Sequence, residues 1–192
     1  MATRSVSAIA AGREFFNQDP NILKFVMENP TDRVTYGDLS VIRSEFEELM
    51  QLSIEAGTIE LDRRDINVAD VLSGVHPLVE ERARKARVEV SCDCDASTGM
   101  LLADQKRLLQ VVYNLVINAI EHTPPNGRIV YGAEGTAGEV RIFVNDTGVG
   151  IPPEYQPVAF ERFESTTRAK DARRAGLGLA LVRSFVELHG GW

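Results

Sequence analysis

Cysteine is nearly absent from this sequence: of 192 residues, only Cys92 and Cys94 carry a thiol. At C-x-C spacing on one predicted strand they point the same way and cannot staple a fold. Free thiols in a reducing compartment are therefore expected, not a disulfide framework or a cysteine-ligated metal. Long apolar runs are also missing. The most hydrophobic stretch, residues 108–120, is interrupted by Gln110, Asn114 and Asn118 and is too short to cross a bilayer, and no apolar h-region follows Arg4. The chain is thus expected to be cytoplasmic, any membrane anchor lying elsewhere in a parent protein. Positive charge is in deficit, with 21 Lys and Arg against 28 Asp and Glu for a net charge of -7, and there is no long basic stripe. This argues against a nucleic-acid surface, because duplex binding is dominated by phosphate neutralisation. What is present, 44% hydrophobic and 26% charged residues, describes a globular protein of one ordinary domain plus a smaller appendage.

Turn residues divide the chain. Apolar positions take helical spacing over residues 4–16 and 21–27, with Asp19-Pro20 and Asn29-Pro30 as breaks. A longer helix follows Asp38, a residue suited to the N-cap, and along it Leu39, Ile42, Phe46 and Leu49 form one apolar seam. So short a helix needs something to pack on, either the preceding helices or a second copy of the chain. Homodimerisation through these helices is expected, with an intramolecular hairpin as the alternative. Gly57 ends the helical pattern before a short extended run. The remainder alternates: a helix over 68–84, a strand over 88–94, a short strand over 100–103, and a long helix over 105–122 capped by Asp104. Strands over 128–131 and 139–145 then form a hairpin across residues 132–138, and a last helix runs from about 177 to 188. Helices on one face of a mixed sheet make the expected fold α+β, a two-layer sandwich. The expected division is a helical dimerisation segment at 1–53, a linker at 54–66 and the α+β domain at 67–192.

The long helix carries the first chemical signal. Gln110, Asn114, Asn118 and His122 fall at steps of four and form one polar stripe, while Leu108, Val111, Val112, Leu115 and Ala119 occupy the other side. Asparagine is a poor choice for a stripe that merely faces water, since its helix propensity is low. Its side-chain carbonyl is a hard oxygen ligand of the kind magnesium takes alongside substrate phosphates. On periodicity alone, a solvated helix face remains the competing explanation. A second signal is Asn145-Asp146-Thr147-Gly148-Val149-Gly150-Ile151-Pro152, where a strand ends in a carboxylate and two glycines bare the backbone to a flat ring. Asp146 could accept a hydrogen bond from an exocyclic amine, which would select adenine over guanine. A third, Ala175-Gly176-Leu177-Gly178-Leu179, opens the last helix, where phosphate oxygens can approach free N–H groups and the positive end of the helix dipole.

In this order the segments resemble the GHKL family of ATPases and kinases, and in detail its histidine-kinase branch. Asn114 to Ala119 resembles the N box, Asp146 to Ile151 the G1 box, Phe160-Glu161-Arg162-Phe163 the F box and Gly176 to Leu179 the G2 box, within a resemblance that spans about residues 54–192. The resemblance implies the Bergerat-type sandwich and ATP with Mg2+. It implies Asn118 as the magnesium ligand, Asn114 and His122 on the phosphate side, Asp146 on the adenine amine, and Gly148, Gly150, Gly176 and Gly178 shaping the pocket. Ile151, Phe160, Phe163, Lys170 and Leu177 complete the implied nucleotide-binding set, with Asn114 and Asn118 as its catalytic pair. Arg168, Lys170, Arg173 and Arg174 lie on the segment that forms the family's lid, where a solvated basic loop is the competing reading. Hydrolytic relatives carry a glutamate one turn before the magnesium asparagine. Here that position is Asn114, and an amide cannot act as a general base. The implied task is to hold ATP for transfer of its γ-phosphate to a partner side chain, with a response regulator as the expected partner of the parent protein.

Three departures accompany the resemblance. The three histidines are His76, His122 and His189, and none precedes the linker, where the family presents its phosphoacceptor. A foreign dimeriser fused to a shortened kinase would account for the N-terminal helices. Arg174 stands where a glycine is usual and Glu121 where a lysine is common, which would stiffen the lid hinge and place negative charge near the phosphates. The chain also stops at Trp192, where relatives add a final pair of strands, so an exposed sheet edge is expected. Residues 159–164 and 173–178 resemble more narrowly the alphaproteobacterial cell-fate kinases, in particular the atypical DivL-like group, in which tyrosine replaces the phosphoacceptor histidine. That resemblance implies an alternative: a non-catalytic module that binds a response regulator and controls a partner kinase.

Burial of the Leu39, Ile42, Phe46 and Leu49 seam is worth roughly 1.5 to 3 kcal/mol per large side chain. Sedimentation of Phe46→Glu should show a monomer where the parent chain is a dimer; a variant as dimeric as the parent contradicts the seam.

Overall fold

The structure is a computed structural model that describes residues 50–94, 98–136, 139–161 and 178–192. The Asp38 cap and the apolar seam lie outside the described residues. Residues 50–55 are helical and end at a turn where Gly57 takes φ 66°, as the Gly57 stop predicts. The elements that follow are β1 (Arg64–Asn67), α1 (Val68–Ser73), α2 (His76–Ala86), β2 (Glu89–Cys94), β3 (Met100–Ala103), α3 (Gln105–His122), β4 (Arg128–Thr136), β5 (Glu139–Asp146) and α4 (Gly178–Leu188).

The strands form two sheets. One has the order β2-β4-β5, with β2 and β4 parallel, placing Val90 opposite Ile129, and β4 and β5 antiparallel, placing Tyr131 opposite Val144. The other is the antiparallel pair β1-β3, in which Ile66 faces Leu101. β1 starts inside the stretch expected to be linker. β5 lies at an edge of its sheet.

A single helix is expected over 68–84, but the chain forms two. The apolar spacing of Val68, Val71, Leu72, Val75 and Val79 runs through the break, and all five are buried, so periodicity alone cannot find the interruption. Backbone chemistry sets it. Asn67 caps α1, its Oδ1 accepting from Ala69 N at 2.9 Å, and Gly74 closes the helix by donating to Asp70 O at 3.2 Å. Pro77 lies in the first turn of α2, where its missing N–H costs nothing, whereas inside a continuous helix it would leave a carbonyl unpaired.

β4 is longer than expected because Gly132 and Gly135 read as loop residues. Both lie within the strand, where they permit close backbone approach. A Cβ on Gly132 would sit 1.9 Å from Asp93 O, and one on Gly135 would sit 2.5 Å from Thr98 O. Glycine inside a strand often marks such an approach.

The core lies between the β2-β4-β5 sheet and the helices: Val112, Val116 and Ile117 of α3 with Val68, Leu72, Val75, Val79, Ile129 and Tyr131. Tyr131 brings its hydroxyl into this layer and satisfies it by donating to Leu72 O at 3.2 Å, as a buried polar group must. Burial pushes its phenol well above the ordinary tyrosine range. The buried set of α3 differs from its expected apolar side: Leu115 is half-buried, whereas Tyr113, Val116, Ile117 and Ile120 are buried in addition to Leu108, Val111, Val112 and Ala119. Among the described residues no helix is long and apolar enough to cross a membrane.

Gly132→Ala should therefore force β2 and β4 apart. We expect a loss of about 1 to 3 kcal/mol in chemical denaturation, the usual cost of overpacking; an unfolding midpoint equal to that of the parent contradicts the close strand approach.

Candidate functional site

Asp104 starts α3 in the expected manner, its Oδ1 accepting from Lys106 N at 3.0 Å and Arg107 N at 3.1 Å. This fixes where the polar stripe emerges. Gln110, Asn118 and His122 are half-buried and Asn114 is buried. Asn114 Nδ2 donates to Gly178 O, the carbonyl of the first residue of α4, at 3.4 Å. Residues far apart in sequence, from the N-box-like and G2-box-like segments, are thus brought together by one amide. Asn114 spends a donor on the fold, a use that its polar spacing alone does not reveal.

The glycine-rich turn after β5 closes onto the other end of α3. Thr147 fastens it to the start of β4: Thr147 N donates to Arg128 O at 3.0 Å, and Arg128 N donates to Thr147 Oγ1 at 2.9 Å. Asp146 Oδ1 accepts from Gly148 N at 2.8 Å, and Val149 N donates to His122 O at 3.3 Å. The two glycines serve different purposes. A Cβ on Gly148 would meet His122 O at 2.5 Å and Asp146 Oδ1 at 2.7 Å, so this residue permits the turn to lie against α3. Gly150 has open space around it but takes φ 68°, a left-handed conformation that side chains disfavour. Gly127 also belongs to this contact, since a Cβ there would come within 2.3 Å of Thr123 Cγ2.

Asp146, Ile151 and Phe160 are exposed, as is Val149. Glu161, the acidic residue of the F-box-like segment, pairs with Arg183 of α4, which also bonds Glu187 at 2.9 Å. Glu187 and then Glu161 hold the Arg183 guanidinium charged. Sequence reasoning missed Arg183; the four-residue step to Glu187 was its one available signal. Glu121, the substitution expected to bring negative charge, is answered in part by Arg82 of α2 at 3.9 Å, a contact weak at that distance and exposure. Phe163, Lys170, Gly176 and Leu177, with Arg168, Arg173 and Arg174, lie outside the described residues.

The residues fit a nucleotide and its cation. Thr123, at the end of α3 beneath the turn, is buried with its Oγ1 unpartnered, and such a hydroxyl calls for a hydrogen-bonding partner. Among the described residues no group of three or more His, Cys, Asp or Glu could hold a metal by itself. Asn118 on the α3 stripe is half-buried and carries an amide oxygen, a ligand type that suits a cation sharing its coordination with phosphates and water.

Comparison with known proteins bears on the family. Residues 103–192 match the family described as histidine kinase-, DNA gyrase B-, and HSP90-like ATPase. The chain is 41% identical over 139 residues to the sensor protein DivL of Caulobacter vibrioides, covering 72% of this chain and 18% of DivL. It is 37% identical over 139 residues to the histidine protein kinase DivJ of the same bacterium, covering 72% of this chain and 23% of DivJ. The chain therefore spans less than a quarter of the length of these curated relatives. The solved catalytic domain of histidine kinase ThkA superposes with a TM-score of 0.59 at 32% identity, over 68% of this chain and 82% of that one. ThkA in complex with response regulator protein TrrA gives a TM-score of 0.60 at 26% identity, over 96% of this chain and 55% of that one.

The two glycines of the turn should respond differently to alanine. Gly150→Ala meets no atom within 4 Å and should cost about 1 to 2 kcal/mol for the left-handed backbone. Gly148→Ala carries no left-handed strain but must displace the His122 carbonyl, which a Cβ would meet at 2.5 Å, so it should be the more harmful and should expose the Val149 amide to hydrogen exchange. Equal stability losses, or a Val149 amide still protected in Gly148→Ala, contradict the contact.

Proposed function

The chain belongs to the ATP-binding catalytic domains of sensor histidine kinases, and from that premise we propose that it holds Mg-ATP between the α3 stripe, the turn after β5 and the first turn of α4. There it would present the γ-phosphate to a phosphoacceptor side chain of its parent protein. The observation that carries this reading is the convergence on α3, where Asn114 holds Gly178 O and His122 O holds Val149 N. In this arrangement Asp146 has one oxygen committed to Gly148 N and would turn the other to the adenine amine. Asn118 would ligate magnesium, and the opening turn of α4 would face the phosphates with its free N–H groups. Magnesium, when bound, would neutralise phosphate charge. Asn114 has no basic lone pair to activate water, so the residues supply positioning and charge complementarity, as phosphoryl transfer requires. His122, Gly148, Gly150, Ile151 and Phe160 would line the nucleotide, and Phe163, Lys170, Gly176 and Leu177 would cover it.

The surrounding protein follows from the same reading. We assign residues 1–53 to dimerisation, 54–66 to a linker and 67–192 to the catalytic domain, working in the cytoplasm with a response regulator as partner in two-component signal transduction. The 41% identity to DivL, a protein named as a sensor, favours a second reading. In it the chain binds a response regulator and controls a partner kinase without transferring phosphate itself. The identity of the phosphoacceptor residue in the parent protein separates the two.

Calorimetric titration should show Mg-ATP bound in preference to Mg-GTP. Asp146→Ala should weaken binding by about 1.5 to 3 kcal/mol, the worth of a hydrogen bond to a charged group. Absence of binding by the parent chain overturns the proposal. With γ-labelled ATP the chain alone should acquire no acid-labile, base-stable phosphate, because no histidine precedes His76 and transfer needs an acceptor placed in line with the γ-phosphate. Such a label on His76 or His122 contradicts that expectation.

A further inference from the structure

α3 and α4 run antiparallel, and a second contact joins their far ends. α4 closes with a glycine-based C-terminal motif: Gly190 takes φ 83°, its N–H donates to Glu187 O, and Gly191 N donates to Val186 O, each at 2.9 Å. This fixes His189 at the helix end. Its imidazole is held on both sides. Asp104 N donates to His189 Nε2 at 3.0 Å, and His189 Nδ1 lies 2.7 Å from Phe185 O. A nitrogen that accepts an amide N–H carries no proton, and one facing a carbonyl must carry it, so the geometry selects the neutral Nδ1–H tautomer.

The other half of the contact is equally constrained. The Asp104 carboxylate caps α3 through Oδ1 and accepts from Asp62 N at 3.1 Å through Oδ2. Arg63 Nη2 donates to Leu188 O beside the histidine. The Asp104 N–H that meets the ring therefore belongs to a point fixed by α3, by the segment before β1 and by the end of α4. The Asn114 to Gly178 bond lies roughly 15 Å further along, at 1.5 Å of rise per residue. Two bonds so separated define the register of two helices, which one bond cannot do. The Asn114 bond alone, at 3.4 Å, is the weaker of the two.

We propose that His189 is a positioning residue of the nucleotide site: its ring, bridging Asp104 N and Phe185 O, sets the register of α4 on α3 and so holds Gly178 against Asn114. This rests on the Mg-ATP reading for its functional consequence and on geometry alone for its structural one. A hydrophobic replacement of similar size fills the space without supplying the register. Glutamine, whose side-chain oxygen reaches about as far as Nε2, restores the acceptor for Asp104 N.

The test compares His189→Leu and His189→Gln with the parent chain, first without nucleotide and then with Mg-ATP. Without nucleotide, His189→Leu should shift the Asn114 side-chain NH2 resonances and speed hydrogen exchange over residues 182–185 of α4, while β4 keeps its protection. His189→Gln should return both towards the parent values. With Mg-ATP, His189→Leu should bind about three- to tenfold more weakly, matching the net worth of one or two hydrogen bonds, and His189→Gln should recover most of that loss. Ring 15N shifts in the parent chain should report Nδ1–H. The proposal is overturned if Asn114 and α4 are unaffected in His189→Leu, if protection falls equally in α4 and β4, or if glutamine behaves as leucine does. If the parent chain fails to bind Mg-ATP, the nucleotide reading falls, and the nucleotide-free measurements still decide the role of His189.

Discussion

Burial of α3 on nearly every side is the constraint on which the rest of the structure depends. Val112, Val116 and Ile117 are fully enclosed by the sheet and the other helices, and burial of such side chains supplies about 1.5 to 3 kcal/mol each. A helix held so firmly can carry a stripe of amides that contributes little to its own stability. It also offers three fixed attachment points: the capped Asp104 end, the Asn114 amide in the middle and the His122 carbonyl at the other end. The end of α4, the start of α4 and the turn after β5 each fasten to one of these. The proposed nucleotide site lies between the second and third of these attachments, and the first holds α4 in register from its far end.

Glycine does most of the remaining positioning, for reasons that differ by residue. Gly148 lies where a side chain would strike the His122 carbonyl, Gly150 supplies a left-handed backbone, and Gly132 lets two strands approach. A sequence displays these residues alike, as punctuation. Only the neighbouring atoms separate a turn glycine from a packing glycine, and so Gly132 and Gly135 were read as part of a loop although both lie in β4.

Much of the architecture was nevertheless legible. The bounds and cap of α3 follow directly from Asp104 and the apolar period, because a strong N-cap and a long amphipathic pattern agree. The break between α1 and α2 did not follow, since Val71, Leu72, Val75 and Val79 keep their spacing across Gly74 and Pro77. For the proposed site, spacing singled out Asn114, Asn118 and His122, and the strand-end carboxylate and the glycine pairs singled out Asp146 and the glycines. It could not show that Asn114 donates to Gly178 O or that Thr123 is buried with an unpartnered hydroxyl. Arg183 and His189 were also hidden: apart from the step of four between Arg183 and Glu187, their partners Glu161 and Asp104 lie 22 and 85 residues away in sequence.

The central claim is that segments distant in sequence meet on α3 to receive one nucleotide. Its most direct test is a backbone and side-chain NMR titration of the chain with Mg-ATP. Resonances of Asn114, Asn118, His122, residues 146–150 and Gly178 should move together, with a single apparent dissociation constant, while those of β1 and β3 stay in place. Shifts confined to one of these segments, different midpoints for α3 and the turn after β5, or no shift at any of them would contradict the account.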